Sequence, residues 1–234
     1  MKFFGGGAFF IEAANYTRKV LTPDNWLGID RLLKAQDYIV DVQPWDRSIY
    51  VNYNLNDFRS RLFHTIRKAA GRYDWPGKDK HLTHWMCEAH SVPYEVLNEK
   101  WLTVEPNRVA PVVVSRAGPG REHHHVYQNP SFPWHKVWKK YGKQAVFIGT
   151  PVEHAVFCAS CGEVKYQPTA DLYEAARVIS GCDLFIGNQS CPHAIAEGLK
   201  KNIILEVWEA GPNCLVYRPG VIHGRKHDME LPDL

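Results

Sequence analysis

Along the second half of the chain, short apolar runs alternate with amphipathic stretches. Residues 112–114, 145–148, 184–186 and 203–207 are four such runs, each bounded by turn residues. Runs this short and this apolar predict strands buried on both faces of a sheet. Between them lie predicted helices. Residues 134–141 place Lys136, Lys139 and Lys140 outward, and residues 169–180 bring Leu172, Ala175, Ala176 and Ile179 to one face. The run at 184–186 breaks into Gly187-Asn188-Gln189-Ser190, small polar residues suited to a tight turn. Pro192 follows where a helix begins, since its missing N–H costs nothing in the first turn. Residues 194–199 continue that helix, Lys200 and Lys201 carry positive charge to its C-terminal end, and Asn202 stops it. The result is strand, polar turn, helix, strand. It predicts a βαβ unit with its turn at the carboxyl edge of a parallel sheet, within a doubly wound α/β fold.

The first half is less regular. Phe9, Phe10 and Ile11 predict a short strand, and Asn15-Tyr16-Thr17-Arg18 a polar turn. Thr22-Pro23-Asp24 announces a helix with Trp26, Leu27, Ile29, Leu32 and Leu33 on one face, and residues 38–42 predict a second strand. A helix is expected at 58–70, loop at 71–80, helix at 82–87 and strand at 101–104. Glycines 5–7 precede a strand rather than follow one, the reverse of the order in a phosphate-binding loop. The break at Glu105-Pro106-Asn107 sets a domain boundary, giving expected units at 1–108 and 109–210 and a tail at 211–234.

Composition changes this picture little. The chain has 234 residues, 45% hydrophobic and 23% charged, with a net charge of +3, ordinary values for a soluble domain pair and too little charge for a strong nucleic-acid footprint. No apolar run approaches the roughly 20 residues of a membrane span, and the start lacks a signal-peptide core, so a cytoplasmic location is expected. Six cysteines are present. Cys158 and Cys161 with His154 look like half a zinc site, but no second pair stands at ligand spacing, so reduced thiols and no metal are expected.

Three predicted strand ends converge on one sheet edge. The first carries Arg116 and Arg121, the second Gly149 and Thr150, the third Asn188, Gln189 and Ser190. Arginine forks and a helix start suit a diphosphate. Asn, Gln and Ser suit the hydroxyls of a sugar or ribose, and Glu197 lies on about the same helix face as Ser190.

Residues 145–207 resemble the C-terminal domain of the family-9 glycosyltransferases, the ADP-heptose heptosyltransferase family. The residues that carry the likeness are Phe147-Ile148-Gly149-Thr150-Pro151, the stretch from Thr169 to Ala176, and Leu184-Phe185-Ile186-Gly187-Asn188-Gln189-Ser190-Cys191-Pro192-His193-Ala194-Ile195-Ala196. With the strand at Val112 and its Arg-bearing loop, the likeness covers residues 109–208. Gln189 stands where the family has Asp, Cys191 where it has Gly, and Ala194 where it has His, with His193 one place earlier. These departures imply a donor other than ADP-heptose. The family's N-terminal Gly-Asp turn, which carries its proposed base, has no counterpart here.

The resemblance implies a GT-B-like fold, with two Rossmann-like domains facing a cleft and the N-terminal one reduced. It implies hexosyl or heptosyl transfer from a nucleotide-diphosphate sugar to a glycan hydroxyl, or to a modified DNA base in a phage-type setting. The nucleotide sugar is the substrate, and no cofactor is expected. The donor side would be Arg116, Arg121, Gly149, Thr150, Asn188, Gln189, Ser190, Pro192, His193 and Glu197. Asn15, Tyr16 and Arg18 would face the acceptor. Inverting transfer needs a base for the acceptor hydroxyl, and Glu12 and His125 are the candidates. A non-catalytic sugar-nucleotide-binding module and an epimerase-like GT-B enzyme are the alternatives.

Overall fold

The computed structural model describes residues 7–12, 23–45, 50, 82–118, 128–209, 214–225 and 229–233. Strand β1 (Gly7–Glu12), helix α1 (Pro23–Lys34) and strand β2 (Ile39–Trp45) form a parallel β-α-β unit. Helix α2 (Leu82–Ala89) and a short 3-10 turn at Tyr94–Asn98 lead to an irregular segment at 99–111.

The remainder builds one parallel sheet. Its elements in chain order are β3 (Val112–Ser115), α3 (Trp134–Tyr141), β4 (Ala145–Phe147), α4 (Pro151–Cys161), β5 (Lys165–Tyr166), α5 (Leu172–Gly181), β6 (Leu184–Asn188), α6 (Cys191–Gly198), β7 (Asn202–Glu206) and β8 (Val221–Gly224). Across the sheet the strands lie in the order β5-β4-β3-β6-β7-β8, every pair parallel. Alternate side chains fill two cores. Val113, Val146, Phe185, Ile203 and Leu205 pack with Ala176 and Ile179 of α5 and Ile195 and Ala196 of α6. Val112, Val114, Phe147, Leu184, Ile186 and Ile204 meet Val137 and Tyr141 of α3 and Phe157 of α4 on the other face. Each such fully buried side chain contributes about 1.5–3 kcal/mol, which is why the strands read as continuous apolar runs.

Helix starts follow local chemistry. Thr150 caps α4 in a capping box with Glu153, with Pro151 next, and Asp171 caps α5 by accepting from the Glu174 N–H. The N-terminal unit docks through α1. Leu32 enters the α5–α6 core, while Arg31 reaches Asp171 and Glu174. Buried Gln36 clips residue 103, its Oε1 accepting from Thr103 N–H at 2.7 Å and its Nε2 donating to Thr103 O at 3.3 Å.

Two expectations need correction, and one element was not anticipated. Residues 101–104 are not a strand: Leu102 and Val104 are buried in alternation, but the backbone partners are the Gly198 carbonyl and the Gln36 side chain. The stretch expected as a tail supplies β8, which pairs with β7 along four residues. Two-residue β5 had no apolar run to announce it. The helix expected at 58–70, the loop at 71–80 and the turn at 15–18 lie outside the described residues. Among the described residues, no helix is long and apolar enough to cross a membrane.

Candidate functional site at the reversal of strand order

Strand order reverses between β3 and β6, one wing running β3-β4-β5 and the other β6-β7-β8. The connections leaving β3 and β6 therefore part toward opposite faces and open a crevice at the carboxyl edge, where open α/β sheets bind ligands. The register places Ser115 beside Gly187, and Val114 beside both Phe147 and Ile186, so Arg116, Thr150 and Ser190 all follow strand ends on this one edge. Gly187 is required by close approach: a Cβ there would lie 2.4 Å from the Ser115 carbonyl oxygen. Gly149, at φ +146°, turns the chain out of β4 in a conformation that disfavours side chains.

The largest charge at this edge is internally balanced. Glu206, at the end of β7, is 0% exposed and accepts four hydrogen bonds. Arg116 donates from Nε to Oε2 and from Nη2 to Oε1, both at 2.8 Å; Asn129 N–H donates at 2.7 Å and Trp134 Nε1 at 3.2 Å. The arginine fork expected on a diphosphate is thus closed on a carboxylate of its own chain. Its remaining Nη1 lies 3.8 Å from Cys161 Sγ. Burial pushes the Cys161 thiol up, against the lowering pull of Ser160 and Arg116, so it stays neutral beside the guanidinium.

Other expected donor residues are placed as follows. Asn188 is wholly buried and pairs with Ala117, taking its N–H at 3.0 Å and donating to its carbonyl at 3.1 Å. Gln189 Oε1 accepts from Trp208 N–H at 2.6 Å. The Thr150 hydroxyl serves the α4 capping box, and Glu153 Oε1 also accepts from Gly118 N–H at 3.3 Å. Glu197 is held by Lys200 just past the end of its own helix and, at 2.9 Å, by Arg218, which ties α6 to the segment before β8. His193 is buried in the first turn of α6.

The start of α6 differs from those of α4 and α5. Ser190 occupies the cap position without a side-chain cap bond, its hydroxyl donating instead to the Asn188 carbonyl at 3.2 Å. The first N–H groups of a helix have no partner inside it and carry partial positive charge. At α5 the Asp171 carboxylate already meets one of them; at α6 the cap residue does not, and the first turn holds no acidic residue.

Glu12 is the last residue of β1. Arg121, His125, Asn15, Tyr16 and Arg18 lie outside the described residues. Cys158 Sγ lies 3.4 Å from His154 Nε2, whose ring is 2.9 Å from the Val164 carbonyl, and among the described residues no three His, Cys, Asp or Glu side chains gather for a metal. Two contributors escaped the sequence reading. Glu206 had a signal, a lone carboxylate closing an apolar strand at the edge where sites form. Glu153 had another, the Thr-x-x-Glu spacing of a capping box.

No family model matches the chain, and no curated protein does. Among solved structures it is similar to a family 9 glycosyl transferase from Veillonella parvula, with a TM-score of 0.47 and 12% identity over 84% of this chain and 74% of that one. A similarity this distant assigns neither family nor activity.

Proposed function

We propose that the chain is a glycosyltransferase moving a sugar from a nucleoside-diphosphate sugar to a hydroxyl acceptor, with the diphosphate at the start of α6. The observation that carries this reading is the reversal of strand order between β3 and β6 beside a helix start whose cap residue, Ser190, makes no side-chain cap bond. An anion there meets backbone N–H groups and about half a unit of positive charge. The resemblance of residues 145–207 to family-9 glycosyltransferases supports a sugar nucleotide as the anion. Because Glu206 neutralises Arg116, any full cation on the diphosphate comes from elsewhere, and Arg121, five residues further along the sequence, is the candidate. In this reading the β1-α1-β2 unit is the acceptor side of a GT-B-like pair, Asn15, Tyr16 and Arg18 meet the acceptor, and Glu12 or His125 takes the proton of its hydroxyl. The nucleotide sugar is the substrate, without a further cofactor.

Incubation with a panel of UDP-, ADP-, GDP- and dTDP-sugars, with water or simple glycosides as acceptors, tests this. Release of nucleoside diphosphate from at least one donor is the expected result. Binding without release makes the chain a non-catalytic sugar-nucleotide module. The absence of both binding and release overturns the proposal.

A further inference from the structure

Three consecutive residues after β3 are held by three different elements. Glu206 of β7 takes the Arg116 side chain, Asn188 of β6 takes both backbone groups of Ala117, and Glu153 of α4 takes the Gly118 N–H. The middle contact has a particular chemistry. Regular pairing of β3 with β6 ends at Ser115 and Gly187, so from Ala117 onward the backbone has left the ladder. The Asn188 amide, a close analogue of a peptide group, presents an acceptor to the Ala117 N–H and a donor to its carbonyl. It adds one rung where the strands part. Gln128 Nε2 adds a second donor to the same carbonyl at 3.0 Å. Buried backbone groups left without partners are costly, so a loop pinned in this way has one conformation.

We infer that Asn188 is a positioning residue that fixes the loop at 116–118 by completing the β3–β6 ladder, rather than a contact for the sugar or ribose. What the fixed loop does rests on the donor site proposed above; what holds it does not. The loop forms one wall of the crevice, and the start of α6 follows directly from Asn188. One side chain thereby sets the spacing between the two halves of the site.

Amide exchange followed by NMR on the full chain reads the positioning without a ligand. The Ala117 N–H is expected to be protected in the wild type. In Asn188→Ala its protection should fall about tenfold or more, the equivalent of one lost buried hydrogen bond, while Val113 and Phe185 keep theirs. Asn188→Asp supplies the rescue. At pH 8 its carboxylate opposes the Ala117 carbonyl. At pH 5 a buried carboxyl takes up a proton and offers O–H and C=O in the same arrangement as the amide. Among the described residues, Glu206, the register partner of Asn188, and Arg116 paired with it are charged groups beside that position. Protection relative to wild type at the same pH should be weakened at pH 8, where the Ala117 N–H keeps an acceptor but the Ala117 carbonyl faces a charged oxygen, and recovered at pH 5. Equal protection in all three proteins, or loss spread evenly over β3 and β6, overturns the inference. Calorimetry with UDP and ADP then reads the consequence, with affinity expected to fall about tenfold in Asn188→Ala. Wild-type protein that binds neither nucleotide removes the proposed function alone, because the exchange data still decide the role of Asn188.

Discussion

Arg116 and Glu206 close on each other across β6, bidentate at 2.8 Å, with the carboxylate wholly buried at the carboxyl edge of the sheet. Removing one partner of such a pair strands a buried charge, which is worse than never having placed it there. Glu206→Ala also leaves the Asn129 N–H and Trp134 Nε1 without their acceptor. The variant is expected to lose about 3–5 kcal/mol of stability in urea unfolding. A loss below about 1 kcal/mol, the range of an exposed pair, would show that the pair does not anchor this edge.

Gln36 joins the N-terminal unit to the main sheet by clipping Thr103 and donating to the Leu32 carbonyl at 2.8 Å. In Gln36→Glu the donor becomes an oxygen facing two carbonyls. The expected cost is about 1–3 kcal/mol, seen as a lower denaturation midpoint. An unchanged midpoint would place the docking of α1 on Leu32 and Arg31 instead.

His223 on β8 gives the stability a pH dependence. Burial, with the nearby Arg225 charge, holds its imidazole below the usual histidine range against the opposing pull of the Val216 carbonyl. The unfolded chain takes up this proton near pH 6.5, the folded chain only at lower pH, so between the two the unfolded state binds more protons. The contribution is intact above about pH 6.5 and is lost as pH falls toward the folded value. His223→Gln should flatten the change in unfolding free energy between about pH 7.5 and 5. An identical slope in the two proteins would remove His223 as its source.

Four of the six strands of the main sheet were legible because each is an apolar run closed by a turn. The two that were not, β5 and β8, are short edge strands whose residues, Lys165-Tyr166 and Val221-Ile222-His223-Gly224, carry no double-sided burial to write into the sequence. Residues 101–104 misled for a physical reason. They alternate buried and exposed like a strand, yet a helix end and a glutamine stand in for the neighbouring strand. At the edge, the strand ends and the helix start could be read, but the partners could not. Glu206 stands 90 residues from Arg116, and Arg218 stands 21 from Glu197, so the sequence offered Arg116 and Glu197 as ligand groups when each was already engaged by a distant partner.

Whether an anion binds at the start of α6 is decided by Ser190→Asp. Asp is well tolerated at a helix cap, so the fold should stand, with an unchanged far-UV spectrum. Its carboxylate would accept from a first-turn N–H as Asp171 does at α5, and would repel phosphates. In calorimetric titrations with UDP and ADP, the wild type should bind and Ser190→Asp should bind at least about tenfold more weakly, or by about 1.4 kcal/mol. Equal affinity in the two proteins would contradict the proposal and move the anion site away from α6.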